Sequence, residues 1–178
     1  MTKMAKANRI ILLIVGVLLT AIVVLAYLNM NSDDVALKRA LQENRQFLLK
    51  VNGETAAVVG LQDILDMETV KFTTRLSSTT ITPRNADFEG VELRAIYERL
   101  GIDISGASIF DVRGLDGYDS PLSIDEVMAE EKIYVCIAMD GAILTDKGSG
   151  GWGPFLLVIR GSTFAQRWCK YVEEINAR

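Results

Sequence analysis

Residues 10–28 form an apolar run of 19 residues that contains no charge and no proline. An α-helix rises 1.5 Å per residue, so a helix of this length spans close to the roughly 30 Å hydrocarbon core of a bilayer. Few other uses exist for so long an uncharged segment in a chain of this size. We therefore predict a single transmembrane helix over residues 10–28.

Charges beside this run predict its orientation. Lys3, Lys6 and Arg9 precede it and two aspartates follow it, so the positive-inside rule places residues 1–9 in the cytoplasm. A cleaved signal peptide is the alternative, but its apolar region usually has about 7 to 15 residues. Both readings send the rest of the chain to the same compartment. We expect a single-pass protein of a bacterial inner membrane with its C-terminal domain in the periplasm.

The exported part of the chain is acidic. Removing the first 28 residues takes away three of the 19 basic residues and none of the 23 acidic ones, which leaves 16 basic against 23 acidic residues and a net charge of −7. Nucleic-acid binding and flat contact with anionic lipid both need clustered Lys and Arg. We therefore expect no nucleic-acid partner, and membrane contact through the one helix alone.

Histidine is absent from the whole chain. This excludes Ser-His-Asp and Cys-His catalytic sites, histidine-ligated zinc and histidine-bound haem. Cys136 and Cys169 are too few for a disulfide framework and too far apart for a CxxC motif. They either pair with each other or remain as buried thiols, and lone cysteines inside apolar segments favour buried thiols.

Beyond the anchor, residues 29–48 read as a polar helical stalk and residues 49–178 as one folded domain. The pattern predicts strands at 47–51, 56–59, 70–82, 109–113, 133–139 and 155–160, helices at 61–67, 91–100, 123–131 and 163–175, and turns at 52–53, 85–90 and 140–141. Strands alternate with short helices without a regular βαβ period. This order is typical of an α+β fold with a mixed sheet.

Five short motifs occur in an order that resembles a known family. They lie at residues 88–93, 115–118, 139–144, 153–159 and 167–175. In this order the motifs resemble the sulfite-oxidase-type oxidoreductase molybdopterin-binding domain, over roughly residues 50 to 176. The resemblance implies a compact, mixed-sheet α+β domain and a molybdenum atom held by a pterin dithiolene and one protein cysteine.

The metal-binding cysteine that the resemblance implies is not apparent in this chain. In the family it follows the strand that corresponds here to residues 70–75, where this sequence has Ser77 and Ser78 followed by two threonines. A soft thiolate sets the affinity and redox chemistry of such a metal. We therefore expect no molybdenum cofactor, with Ser77 as an alternative oxygen ligand if one is bound.

Other residues are candidates for ligand binding. Arg75 and Arg113 end strands that face loops, where ligand sites gather on rigid scaffolds. Asp116 and Tyr118 flank a glycine and can line a pocket. Trp152 lies in the glycine-rich segment, residues 148–153, whose backbone amides can cradle an anion. The Trp152 indole can instead stack on a flat ligand or contact a partner protein.

Three functions remain open on these observations. The first is a non-catalytic ligand-binding or partner-binding module, such as a sensor or accessory subunit beside a membrane signalling or electron-transfer protein. The second is a minimal molybdenum-cofactor oxidoreductase that lacks the cysteine ligand. The third is a structural subunit of an envelope complex, bound through the anchor helix. The missing ligand favours the first, so we expect that the chain is not an enzyme.

Overall fold

The computed structural model describes residues 11–27, 35–78, 81–162 and 165–178, together with the backbone of the helix ends at 3–10, 28–30 and 33–34. The chain divides into two compact units, Met1–Ala40 and Leu41–Arg178.

The first unit contains α1 (Lys3–Met30) and most of α2 (Asp33–Glu43). The large apolar side chains between residues 11 and 27 are all exposed. In the parts of the chain that the structure describes, no helix has both the length and the apolar character needed to cross a membrane.

The second unit contains ten strands and three further helices among its described residues. The strands are β1 (Gln46–Val51), β2 (Glu54–Gly60), β3 (Val70–Ser78), β4 (Ile81–Glu92), β5 (Ile109–Gly114), β6 (Asp119–Ser123), β7 (Ile133–Met139), β8 (Ala142–Ile143), β9 (Leu156–Ile159) and β10 (Val172–Ala177). The helices are α3 (Leu61–Leu65), α4 (Leu93–Leu100) and α5 (Ile124–Met128), with a 3₁₀ turn at Ala165–Arg167.

Two sheets form this unit. The first has the strand order β2-β1-β10-β5-β6, and the second has the order β3-β4-β7-β8, with β9 also paired to β7. β1 and β10 run parallel, whereas the other strand pairs are antiparallel. The predicted α+β fold with a mixed sheet is therefore confirmed for the described residues.

The hydrophobic core joins the two sheets. Phe47 on β1 meets Phe155, just before β9, edge to face with ring centroids 4.8 Å apart. Tyr97 on α4 packs against Phe110 on β5 in the same manner at 5.8 Å. All four side chains are buried. These ring contacts connect parts of the two sheets. Aromatic pairs stabilise a fold by more than the burial of their apolar surface alone.

Several predicted elements are present. Asn52 and Gly53 both have positive φ, as the β1–β2 hairpin turn requires. α4 ends at Gly101 in the left-handed conformation. Ser123 caps α5 by accepting a hydrogen bond from the backbone N–H of Glu126, which completes the predicted capping box.

The prediction for residues 70–90 is wrong in one respect. The predicted strand to residue 82 and turn at 85–90 are two long strands, β3 and β4, paired along their length. In β4 the polar residues alternate with buried Ala86 and Phe88, so they form the solvent face of a strand and not a turn. Pro83 is tolerated because it lies opposite the register irregularity after Leu76 and outside the stretch that β7 pairs with.

The predicted helix at 163–175 is also wrong. After the 3₁₀ turn, β10 occupies the middle of the first sheet between β1 and β5. Tyr171 has a φ of 54°, which no right-handed helix accepts. Val172 and Ile175 are buried, but in a strand. Thr163 and Phe164, the first two residues of the predicted helix, lie outside the described residues.

Candidate functional site

A cavity of about 270 Å³ opens where the β5–β6 loop meets the glycine-rich segment and the chain before β10. Its polar and aromatic lining consists of Ser78, Asp116, Tyr118, Trp152, Gln166, Trp168 and Lys170. Three of the six candidate residues named from the sequence thus share one cavity.

The β5–β6 loop places Asp116 and Tyr118. The loop closes on itself because the N–H of Gly117 donates to the carbonyl oxygen of Gly114 over 2.9 Å, and that of Gly114 donates to Tyr118 over 2.8 Å. Asp116 Oδ1 accepts the backbone N–H of Tyr118 at 3.2 Å. The Tyr118 hydroxyl donates to the carbonyl oxygen of Gln166. Both side chains are therefore held by the loop and by the opposite wall.

Gly114 makes this arrangement possible. A Cβ atom there would lie 2.5 Å from the Lys170 carbonyl oxygen and 2.9 Å from Asp116 Oδ1. The glycine therefore lets the β5–β6 loop approach the chain before β10 closely, and this approach forms the cavity wall.

Trp152 and Lys170 form the opposite side. The Lys170 ammonium nitrogen lies 3.8 Å from the centroid of the Trp152 ring, a cation–π contact. The backbone N–H of Tyr171 donates to the carbonyl oxygen of Trp152 over 3.1 Å and fixes the two segments together. Burial lowers the pKa of Lys170, and the nearby Asp116 carboxylate opposes this shift.

The glycine-rich segment packs against the residues just before it and is hydrogen-bonded to them. A Cβ at Gly151 would lie 2.2 Å from the Thr145 carbonyl oxygen, and one at Gly153 would lie 2.6 Å from Leu144 Cβ. The amides of Gly151 and Gly153 donate to the carbonyl oxygens of Asp146 and Thr145 respectively, just before the segment. These amides are therefore already used, and the contribution of the segment to the cavity is the Trp152 ring.

Trp168 forms the inner wall and is only 4% exposed. Its ring meets Phe88 edge to face at 5.4 Å. The indole Nε1 is buried, and no described residue accepts a hydrogen bond from it. Buried N–H groups are rarely left without an acceptor, because each costs about 1–3 kcal/mol. That nitrogen has almost no accessible surface, so it is packed inside the fold, and Trp168 lines the cavity with other atoms of its ring.

The other predicted site residues lie elsewhere. Arg75 is exposed on β3 opposite Asn85, and Ser77 is only 6% exposed and does not line the cavity. Arg113 is exposed and forms an ion pair with Asp119 at 2.9 Å. The ion pair raises the pKa of Arg113, so this guanidinium stays charged and committed to Asp119.

Six of the nine residues that line the cavity were not named as ligand contacts from the sequence, Trp168 and Lys170 among them. The mistaken helix at 163–175 explains these two omissions, because it left no loop before the last strand. A usable signal was present, since residues 174–177 alternate polar and apolar side chains at the period of a strand. That alternation leaves residues 168–171 as a loop, where functional side chains are common.

Comparison with known proteins identifies the family. The sequence model of the oxidoreductase molybdopterin binding domain matches residues 36–178. The chain belongs to this family.

The fold agrees with that membership. The sulfane dehydrogenase SoxCD from Paracoccus pantotrophus superposes with a TM-score of 0.64 at 15% sequence identity, over 76% of this chain and 38% of that one. The match shows a shared fold, and this chain spans less than half the length of SoxCD. A comparison with curated protein sequences found no significant match.

The residues of this family member do not fit a molybdenum held by a protein thiolate. β3 ends in Ser77 and Ser78, at the place where the resemblance puts the metal-binding cysteine. Cys136 and Cys169 are free and fully buried. Burial raises the pKa of the Cys136 thiol well above its usual value and that of Cys169 to about 12. Among the described residues, no group of three or more His, Cys, Asp or Glu side chains is placed to hold a metal.

The position of Cys169 differs from its prediction. It lies before β10 in an isolated bridge with Leu157 and not on a helix. Its sulfur contacts the carbonyl oxygen of Lys170 at 3.6 Å, behind the cavity wall. A thiol in this position packs as a small apolar group.

Proposed function

We propose that this member of the oxidoreductase molybdopterin-binding domain family is a non-catalytic module that binds a small ligand in the cavity between Asp116 and Lys170. The observation that carries the proposal is the serine pair at the end of β3, where the resemblance places the metal-binding cysteine, together with the burial of both cysteines that the chain has. A scaffold without the soft ligand loses the chemistry of the metal but keeps the shaped cavity.

The proposal includes attachment to the inner membrane, with the folded unit in the periplasm. The uncharged run at 10–28, the basic residues before it and the helix assignment Lys3–Met30 support this part. A binding module held there can pass its ligand state to a membrane signalling or electron-transfer protein. Carbonate extraction of membranes and protease treatment of spheroplasts test the location. Release by carbonate, or protection of the folded unit from protease, would contradict it.

The binding role is tested by native mass spectrometry of the full chain purified from its own host without added ligands. We expect a small molecule that stays bound in the intact protein and is lost in the variant Trp152→Ala. Trp152 packs against the core only in part, so we expect this variant to fold, and circular dichroism checks that it does. A protein that carries nothing in either form, and takes up nothing from a metabolite extract, would contradict the ligand-binding role.

The second candidate, a minimal molybdenum oxidoreductase, has one observation in its favour. Ser78 lines the cavity, so an oxygen donor at the end of β3 faces the same space as Trp152 and Lys170. Molybdenum content separates the two candidates.

A further inference from the structure

We propose that the cavity recognises a small zwitterion, such as a free α-amino acid, with its ammonium group at Asp116 and its carboxylate at Lys170. This inference rests on the proposed binding role of the same cavity and adds the chemical class of the ligand.

Two opposite charges line the cavity without satisfying each other. Asp116 and Lys170 both lie in its wall, yet among the described ion pairs none joins them within 4.0 Å. The contacts described for them are the Tyr118 backbone N–H on the Asp116 carboxylate and the Trp152 ring under the Lys170 ammonium. Each charge therefore keeps capacity for a ligand group of the opposite sign.

The Lys170 ammonium is the better defined of the two ends. Its side chain is half-buried, and a partly desolvated cation gains from a bound carboxylate. The same burial lowers the pKa of Lys170.

The side chains around Asp116 suit the other end of the ligand. Tyr118 lines the cavity on the side of the Asp116 carboxylate, and a ring together with a carboxylate attracts an alkylammonium group. Leu156 and Ala165 supply apolar wall for a side chain. The volume of about 270 Å³ lies just below the range of roughly 300–1,000 Å³ typical of ligand pockets, so the ligand is small.

The test is isothermal titration calorimetry of the full chain in detergent with each common α-amino acid and two capped forms of the best binder. The N-acetyl form keeps only the carboxylate, and the amide form keeps only the ammonium. We expect at least one amino acid to bind and both capped forms to bind about tenfold more weakly or worse, because each loses one charge-assisted contact.

Matched variants locate the binding. Asp116→Asn and Lys170→Gln should each weaken binding of the amino acid about tenfold or more. The controls Asp125→Asn and Lys71→Gln remove the same charges from exposed positions outside the cavity and should bind as the parent does. Circular dichroism confirms that all four variants are folded.

Either of two results would overturn the inference. One is a capped form that binds as tightly as its parent amino acid. The other is a folded protein that binds no amino acid at millimolar concentration. If that protein still retains another small molecule in a way that Trp152→Ala abolishes, the binding role stands and only the zwitterion class is wrong.

Discussion

Gly90 lies where β4 passes closest to β7. A Cβ atom at this position would lie 2.4 Å from the Val135 carbonyl oxygen and 2.6 Å from Cys136 Cα, both of them backbone atoms that cannot rotate away. We predict that Gly90→Ala lowers the free energy of unfolding by about 1–3 kcal/mol, the usual cost of overpacking. Urea titration followed by tryptophan fluorescence measures it. Gly106→Ala is the control, since nothing lies within 4 Å of that site; equal effects of the two variants would contradict the close approach.

Glu126 and Arg167 form a bidentate ion pair, with N–O distances of 2.8 and 2.9 Å. The hydrogen bonds from Arg167 lower the pKa of Glu126 from 4.5 to about 2. A carboxyl whose folded pKa is depressed stabilises the fold above its unfolded pKa, and this stability is lost as the pH falls through the folded value.

We therefore predict that Glu126→Gln destabilises the fold by about 1 kcal/mol at pH 7, a value kept small because both side chains are partly exposed. The difference from the parent should shrink below pH 4.5 and vanish near pH 2. Glutamine keeps the capping box of α5, so the variant isolates the charge. Urea titrations at several pH values measure the difference, and one that is constant with pH would exclude this assignment.

Among the secondary-structure elements, β10 is the one that the sequence predicted least well. A sheet centre is specified by partners distant in the chain, and Trp168, Val172 and Ile175 also fit the spacing of a helix. β4 was missed for a related reason, since its outward polar residues resemble a turn when the strand beside them is unknown. β7, buried along almost its whole length, was predictable because continuous apolar β-branched runs suit a strand covered on both faces.

The parallel pairing of β10 with β1 can be tested by cross-linking. Lys50 lies directly opposite Asn176 in this register. We predict that the double variant Lys50→Cys, Asn176→Cys forms a disulfide on mild oxidation, because directly paired strand residues lie within the roughly 4.4–6.8 Å Cα separation that a disulfide spans.

The control for this experiment is Lys50→Cys with Glu174→Cys. These positions are diagonal in the register, about 7–8 Å apart, and should resist bridging. Mass spectrometry of peptides after digestion without reductant measures both pairs. A bridge in the diagonal pair alone, or in neither, would contradict the register.

For the whole molecule, the family and the fold class were accessible from the sequence, because five motifs in order reflect a shared core. The candidate site was accessible in part. Asp116, Tyr118 and Trp152 share a cavity, whereas Arg75 and Arg113 are surface charges whose neighbours only the sheet register reveals. The partners of a side chain across two sheets are not encoded in its local pattern, so Lys170 and Trp168 appear only in the fold.

The whole chain also provides the most direct test of the proposal that this fold has lost its metal. The measurement is the molybdenum content of the full chain, purified from its own host grown with molybdate, by inductively coupled plasma mass spectrometry. We predict far less than one molybdenum per chain, because β3 ends in serines and both cysteines are buried. A value close to one molybdenum per chain, lost in Ser78→Ala, would contradict a non-catalytic role and favour an oxygen-ligated cofactor.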